Sequence, residues 1–276
     1  MCIRDRLYTN TTGHSNTAVG SWALYTNNTT SWNTAVGYKA AFTYAGNEID
    51  AFGFEALKLC TTGIRNAAFG AYTLDACTTG VYNSAFGYAS LSAVTTGRDN
   101  SAFGSQALLV NTADGNSAFG YFSGNANTTG TSNSFFGYAS GGACTTGDNN
   151  TAIGSGANAG TTGNNNTSVG CAAGAAISTG GNNTAVGHNA LENNTTGSDN
   201  TAIGQDCMFT NTTGSNNVAL GENALYYNNA NENTALGKTA MQENTSGTLN
   251  TALGARTLDA NTTGSYNVAV GHKALT

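Results

Sequence analysis

An apolar residue followed by glycine recurs sixteen times along this chain of 276 residues. The series begins at Gly20 and Gly37, passes through Gly204 and ends at Gly271; eleven of its fifteen intervals are 17 residues and four are 16. The unit reads N-T-A-(V/I/F/L)-G-x-x-A-L-x-x-N-T-T-G-x-x. Self-similarity at a fixed period is the signature of a stacked repeat architecture, in which each unit buries its inner face against its neighbours. Sixteen copies leave no room for a separate domain, so residues 7–276 read as one array. Helix-pair repeats need about 33 residues or more, and Gly, Asn and Thr are poor interior helix residues. The residues before each Gly instead alternate with period 2, the pattern of a strand. One short strand per coil can only stack parallel on the strand before it. The expected fold is therefore all-β, a parallel β-solenoid (β-roll) of about 16 coils of 16–17 residues, roughly 75 Å long at the spacing of neighbouring strands.

In-register stacking turns each repeated residue into a ladder. The position before Gly runs through six consecutive phenylalanines, Phe52, Phe69, Phe86, Phe103, Phe119 and Phe136, then through aliphatic residues such as Ile153 and Ile203. Each would sit about 4.8 Å from its own kind. Four residues before the Gly, Asn occupies fifteen of sixteen units, among them Asn16, Asn33, Asn66, Asn83, Asn100 and Asn200, with Ile49 the exception. Stacked amides would link the coils by hydrogen bonds. Thr-Thr-Gly is expected to turn the chain, its Gly supplying positive φ. The shorter units lose residues in this region, as in VNTADGNSAFG and YYNNANENTALG.

Charge is scarce and its placement is selective. Only 9% of residues are charged, against roughly 25% in ordinary soluble domains. Disorder is a poor account of a chain with so little charge and no proline. Of the 21 charged residues beyond residue 6, Asp50 alone falls on the repeated N-T-A-φ-G and Ala-Leu positions. The rest, such as Lys39, Glu55, Arg65, Asp75, Glu192, Asp199 and Arg256, occupy variable positions. One strand face carries the apolar residue and Thr (Val218 and Val268 in two units) and is expected to face the coil interior. The other carries Ala in fourteen of sixteen units beside the Asn, and is expected outside. An uncharged regular outer face reads either as a seam for self-association or as a plain exposed ladder. Net charge is −6 with no basic patch, so neither nucleic acid nor an anionic membrane is an expected partner. No stretch is long and apolar enough to span a membrane as a helix.

Enzymatic chemistry finds no foothold, and no cofactor or metal is expected. LGKTA at 236–240 resembles the end of a phosphate loop, but the earlier glycine such a loop requires is Glu232. His14, His188 and His272 lie on scattered variable positions, and Asp is too irregular for a calcium ladder. Cys60, Cys77 and Cys144 share one position where Asn usually stands. Cys60 and Cys77 fall on adjacent coils, at a spacing a disulfide tolerates; simple ladder filling by small residues is the alternative. The sequons at Asn127, Asn193, Asn194, Asn211 and Asn261 follow from the N-x-T within the repeat. Residues 1–6, MCIRDR, back-translate to a transposon end used in sequencing libraries. They are read as an adapter scar, with a genuine hydrophilic start as the alternative.

The segments NTAVG, NTAIG and NVALGENAL resemble the haemagglutinin/invasin-like head repeats of trimeric autotransporter adhesins. The longer form ALxxNTTGxxNTAxG is similar to repeats of bacterial and phage tail-fibre-domain proteins. The resemblance covers nearly the whole chain but rests on about seven positions per unit, and the adhesin unit is shorter. It implies a left-handed, homotrimeric β-roll, extracellular, on a bacterial surface or a virion tail fibre. It further implies a non-enzymatic role in attachment to a surface receptor or matrix. The residues themselves leave two other readings open, an ice-binding solenoid built on Thr ladders and a mechanical filament joined through open coil ends.

Overall fold

A computed structural model describes residues 7–158, 160 and 162–276, so the reading of residues 1–6 lies outside the described residues. The protein is an all-β parallel solenoid in which each coil contributes one strand of three or four residues, with no helix among the described residues. It divides into two compact units, residues 1–133 and 134–276. In the first, strands β1 (Thr17–Val19) to β7 (Ser117–Phe119) pair parallel in chain order. In the second, β8 (Ser134–Phe136) to β16 (Val268–Val270) do the same. Register is like on like: Thr184 lies opposite Thr201, Ala185 opposite Ala202 and Val186 opposite Ile203.

Closing a coil in 17 residues takes three sharp changes of direction, each made by a left-handed residue. In the coil of Gly70 these are Tyr72 (φ 58°), Leu74 (φ 51°) and Tyr82 (φ 59°). Such conformations cost a side-chain-bearing residue about 1–2 kcal/mol. They are held by backbone bonds to neighbouring coils: the Tyr72 amide donates to Phe54 O at 2.9 Å, and the Leu74 amide to Ser90 O at 3.1 Å. The Gly of Thr-Thr-Gly, expected to provide the positive φ, does not. Gly80 and Gly197 are absent from the positive-φ residues, whereas Tyr82 and Asp199, two residues later, are present. Gly80 is required for space, since a Cβ there would lie 2.6 Å from Gly97 O on the next coil. The Gly ending each strand is constrained twice. Gly204 has φ 138°, and a Cβ on it would sit 2.6 Å from the carbonyl carbon of Gly221.

The two strand faces are the reverse of the expectation from sequence. Ala35, Ala68, Ala85, Ala202 and their equivalents between the terminal coils are fully buried, while the Thr and the apolar residue on either side of each are half-buried or exposed. The reason is the size of the coil. Its interior holds one strand Ala, the Ala-Leu pair and two Asn per turn, for example Ala202, Ala190, Leu191, Asn194 and Asn200. Such a cross-section has no place for a Phe in every layer, so the large apolar ladder goes outside.

Asn can occupy this interior where its amide is paired along a ladder, which offsets the penalty of burying it; Asn27 Nδ2, Asn127 Oδ1 and the Asn158 amide are buried exceptions. Asn200 Oδ1 accepts from both the backbone amide and Nδ2 of Asn217, at 3.1 Å each. Its own Nδ2 donates to Asn183 Oδ1 at 3.1 Å and to Gly214 O at 2.8 Å. The same pattern joins Asn66, Asn83 and Asn100, and Asn16 accepts from the Asn33 amide at 3.0 Å. A second buried ladder runs through Asn194, Asn211, Asn228, Asn244 and Asn261, with Nδ2 donating to the preceding Oδ1 at 2.8–3.3 Å.

Where the interior departs from the repeat, volume is exchanged within the coil. Phe135 replaces the strand Ala and is fully buried; Gly141 stands in the Leu position of the same coil, where a Cβ would overlap the Phe135 ring. Tyr44 fills a coil whose Leu position is Ala41, and its hydroxyl donates to Asn47 O at 2.7 Å. Ile177 replaces an Asn beside Gly174, whose Cβ would lie 2.8 Å from Ile177 Cδ1.

Two outcomes are expected. Asn200→Ala strips partners from Asn217 and Gly214, and should cost roughly 2–4 kcal/mol in urea unfolding, because buried groups are left unpaired. Phe135→Ala should cost about 3–5 kcal/mol by opening a cavity. Adding Gly141→Leu to it should recover most of the loss, since the repeat's own Ala and Leu are then restored. If the double variant is no more stable than Phe135→Ala, the volume-exchange account is wrong.

Candidate interaction surface

The side chains that flank each buried strand Ala form the outward surface. One row is the residue before Gly, the other the Thr or Ser two residues earlier. In the first unit the rings of Phe52, Phe69, Phe86, Phe103 and Phe119 stack at 4.6–4.7 Å, nearly parallel. Stacked faces shield one another, and the outward edges stay in solvent, with Phe119 36% exposed. In the second unit the same strand position holds Phe136, Ile153, Val169, Val186, Ile203 and the leucines up to Val270, with Ile153 43% and Leu253 47% exposed. Beside it stand Thr151, Thr167, Thr184, Thr201, Thr234 and Thr251. Among the described residues Asp50 is the only charge on this face, and it lies between Thr34 and Ala67 on adjacent rungs. Gly20, Gly37 and Gly204 close the strands beneath this surface, their backbones pressed against the next coil.

A second row of aromatic residues follows the strand glycines in the first unit, and the sequence reading missed it. Tyr38 stacks on Phe54 at 5.2 Å, Phe54 meets Tyr72 at 5.3 Å, and Tyr72 meets Tyr88 at 6.0 Å. Lys39 Nζ lies 5.1 Å from the Trp22 ring centre, 5.2 Å from Tyr38 and 5.8 Å from Phe42, within cation–π range of all three. The recurrent Gly-Tyr pair (37–38, 87–88, 120–121, 137–138) was the available signal. Ion pairs occur on variable outward positions, Arg65 Nε to Glu48 at 2.7 Å and Lys238 to Glu222 at 2.9 Å. Exposed pairs of this kind contribute little.

Two of the buried thiols, Cys144 and Cys207, are held protonated. Burial pushes Cys144 up to about 11 and Cys207 up to about 12, which suits structural rather than reactive cysteines. Burial likewise raises the Tyr44 hydroxyl and the Asp75 carboxyl. The described residues form no pocket and no cluster of three or more metal-binding side chains. A scan against protein-family models, a search of curated proteins and a search of solved structures each returned no match.

Proposed function

We propose that this chain is a non-enzymatic structural segment of an extracellular fibre whose copies associate through the outward strand face. The observation that carries the reading is the stacked, uncharged Phe row from Phe52 to Phe119, half-buried along its length, exposed at Phe119 and lying on the outer face of the coil. An apolar stripe of this extent is an association site or an aggregation hazard. A second copy is the partner that fits it best, because only a surface with the same axial period can meet every rung. The repeat's resemblance to adhesin heads and tail-fibre proteins supports a trimer that presents its variable outward positions to a receptor or matrix, on a bacterial surface or a virion. Light scattering should then give three times the 27.9 kDa chain mass. Phe86→Glu should reduce it to one chain with the circular dichroism of the fold retained, and Asp50→Thr should tighten association. A wild-type chain that stays monomeric at micromolar concentration sinks the reading.

One observation favours a second reading. The strand Thr point outward, so Thr151 to Thr251 and their aliphatic partners form a regular array of hydroxyl and methyl groups. An array of this kind can hold ordered water, as an ice-binding surface requires. Thermal hysteresis lost on Thr201→Lys would support it; no hysteresis in the wild type removes it.

A further inference from the structure

We propose that Cys60 and Cys77 are a modification site, joined by a disulfide that links two successive coils in place of two rungs of buried amide. The slot they share carries the second Asn ladder elsewhere in the chain. In the first unit that ladder is interrupted over four coils, by Tyr44, Cys60, Cys77 and Val94, before it resumes at Asn111 and Asn127. The thiols take over part of the amide's role. Cys60 Sγ lies 3.6 Å from Gly63 O and Cys77 Sγ 3.8 Å from Gly80 O, each the carbonyl to which an Asn Nδ2 donates in other coils. What they cannot reproduce non-covalently is the strong amide bond to the next rung.

The geometry places the two cysteines, both free thiols here, in one slot of adjacent coils. The coils are bonded on both sides of the pair, by the Leu59 amide to Asp75 O at 3.1 Å and by the Thr61 amide to Thr78 O at 2.9 Å. Stacked backbones at this spacing hold equivalent Cα atoms about 4.8 Å apart, inside the disulfide range. Parallel Cβ vectors start about as far apart, so closure draws them together by roughly 1 Å. Cys60 Sγ also lies 3.7 Å from Thr78 O on the coil of Cys77, and the two thiols act on each other, Cys77 raising Cys60 and Cys60 lowering Cys77. Both are fully buried, beside the Tyr44 ring that fills the preceding coil. Cys144 occupies the same slot, but the corresponding positions one unit away in sequence are Asn127 and Thr161, so it has no thiol to pair with.

The step requires a small-molecule disulfide as oxidant. One thiolate attacks a sulfur of oxidised glutathione and expels a glutathione thiolate; the second cysteine loses its proton and displaces the other glutathione from the mixed disulfide. The pair thereby gives up two electrons and two protons, and the oxidant becomes two thiols. Because folding closes both sulfurs off from solvent, the exchange takes place before the coils close. The finished bond is then shielded from reductant in the same way.

The test uses the full chain with Cys2 and the exposed Cys171 replaced by Ser, refolded from denaturant with either a glutathione redox mixture or excess reductant. After alkylation under denaturing conditions, mass mapping of the oxidised sample should show Cys60 and Cys77 joined and Cys144 and Cys207 alkylated. The oxidised form should melt roughly 6–12 °C higher, as expected for a bond closing a loop of this length. A Cys60→Asn, Cys77→Asn variant restores the ladder residue, should fold, and should melt at one temperature in both conditions. Full alkylation of Cys60 and Cys77 after oxidative refolding overturns the proposal, and so does a melting temperature that ignores the redox state while the variant folds normally.

Discussion

Within each unit the strand residues meet their own equivalents one coil away, because backbone hydrogen bonds fix the coil spacing near 4.8 Å and the register is like on like. That single distance decides what each position tolerates. Where backbones themselves approach, as at Gly204 over Gly221, there is no room even for a Cβ. Where side chains stack inward, only those that can bond or pack against a copy of themselves survive in most coils: Ala, Leu and the laddered Asn, as at Asn200. The hydrogen bonds that set the spacing thus select the composition, and the composition maintains the spacing.

The same constraint reverses the ordinary rule that large apolar residues go inside. A coil of 17 residues encloses too little volume for a Phe in each layer, and where one does enter, at Phe135, the Leu of that coil has become Gly141. Asn does better inside than Phe because its two polar groups are satisfied by the coils above and below, so the desolvation cost is met within the ladder. Leucine is retained despite standing at positive φ, as at Leu191 (φ 51°). The strain of about 1–2 kcal/mol is comparable to what burying the side chain returns.

How much of this was legible in sequence depended on whether the signal was periodic. Period, strand position, parallel stacking and the residues that share a ladder all follow from the spacing of Asn, Ala and Gly, and the structure has that architecture. The choice of inner face was not legible, because both faces of N-T-A-φ-G lack charge and polarity is no guide when the buried polar residue is self-satisfying. The left-handed residues were missed since Tyr72, Glu55 and Arg65 carry none of the usual turn chemistry; tertiary bonds between coils impose their conformation. The exchange of Phe135 against Gly141, six residues apart, becomes visible only once the coil has brought them together.

The inner Asn ladder through Asn200 is satisfied within the coils while the outer rows are not, and that asymmetry separates what holds the fold from what faces outward. Asn200 has a bonding partner on the coil at each side and needs nothing further. Phe86 has neighbours above and below it but solvent at its edge. Changes at outward positions therefore alter the surface without disturbing the register that holds it. The chain has used that freedom unevenly, since the first unit carries the stacked Phe row and the second the Thr rows beside aliphatic ones. Association through rings and ordering of water by hydroxyl arrays draw on different coils, so the two readings do not exclude each other on grounds of space. A charge placed on Phe86 and one placed on Thr201 probe separate surfaces of a fold whose interior does not depend on either.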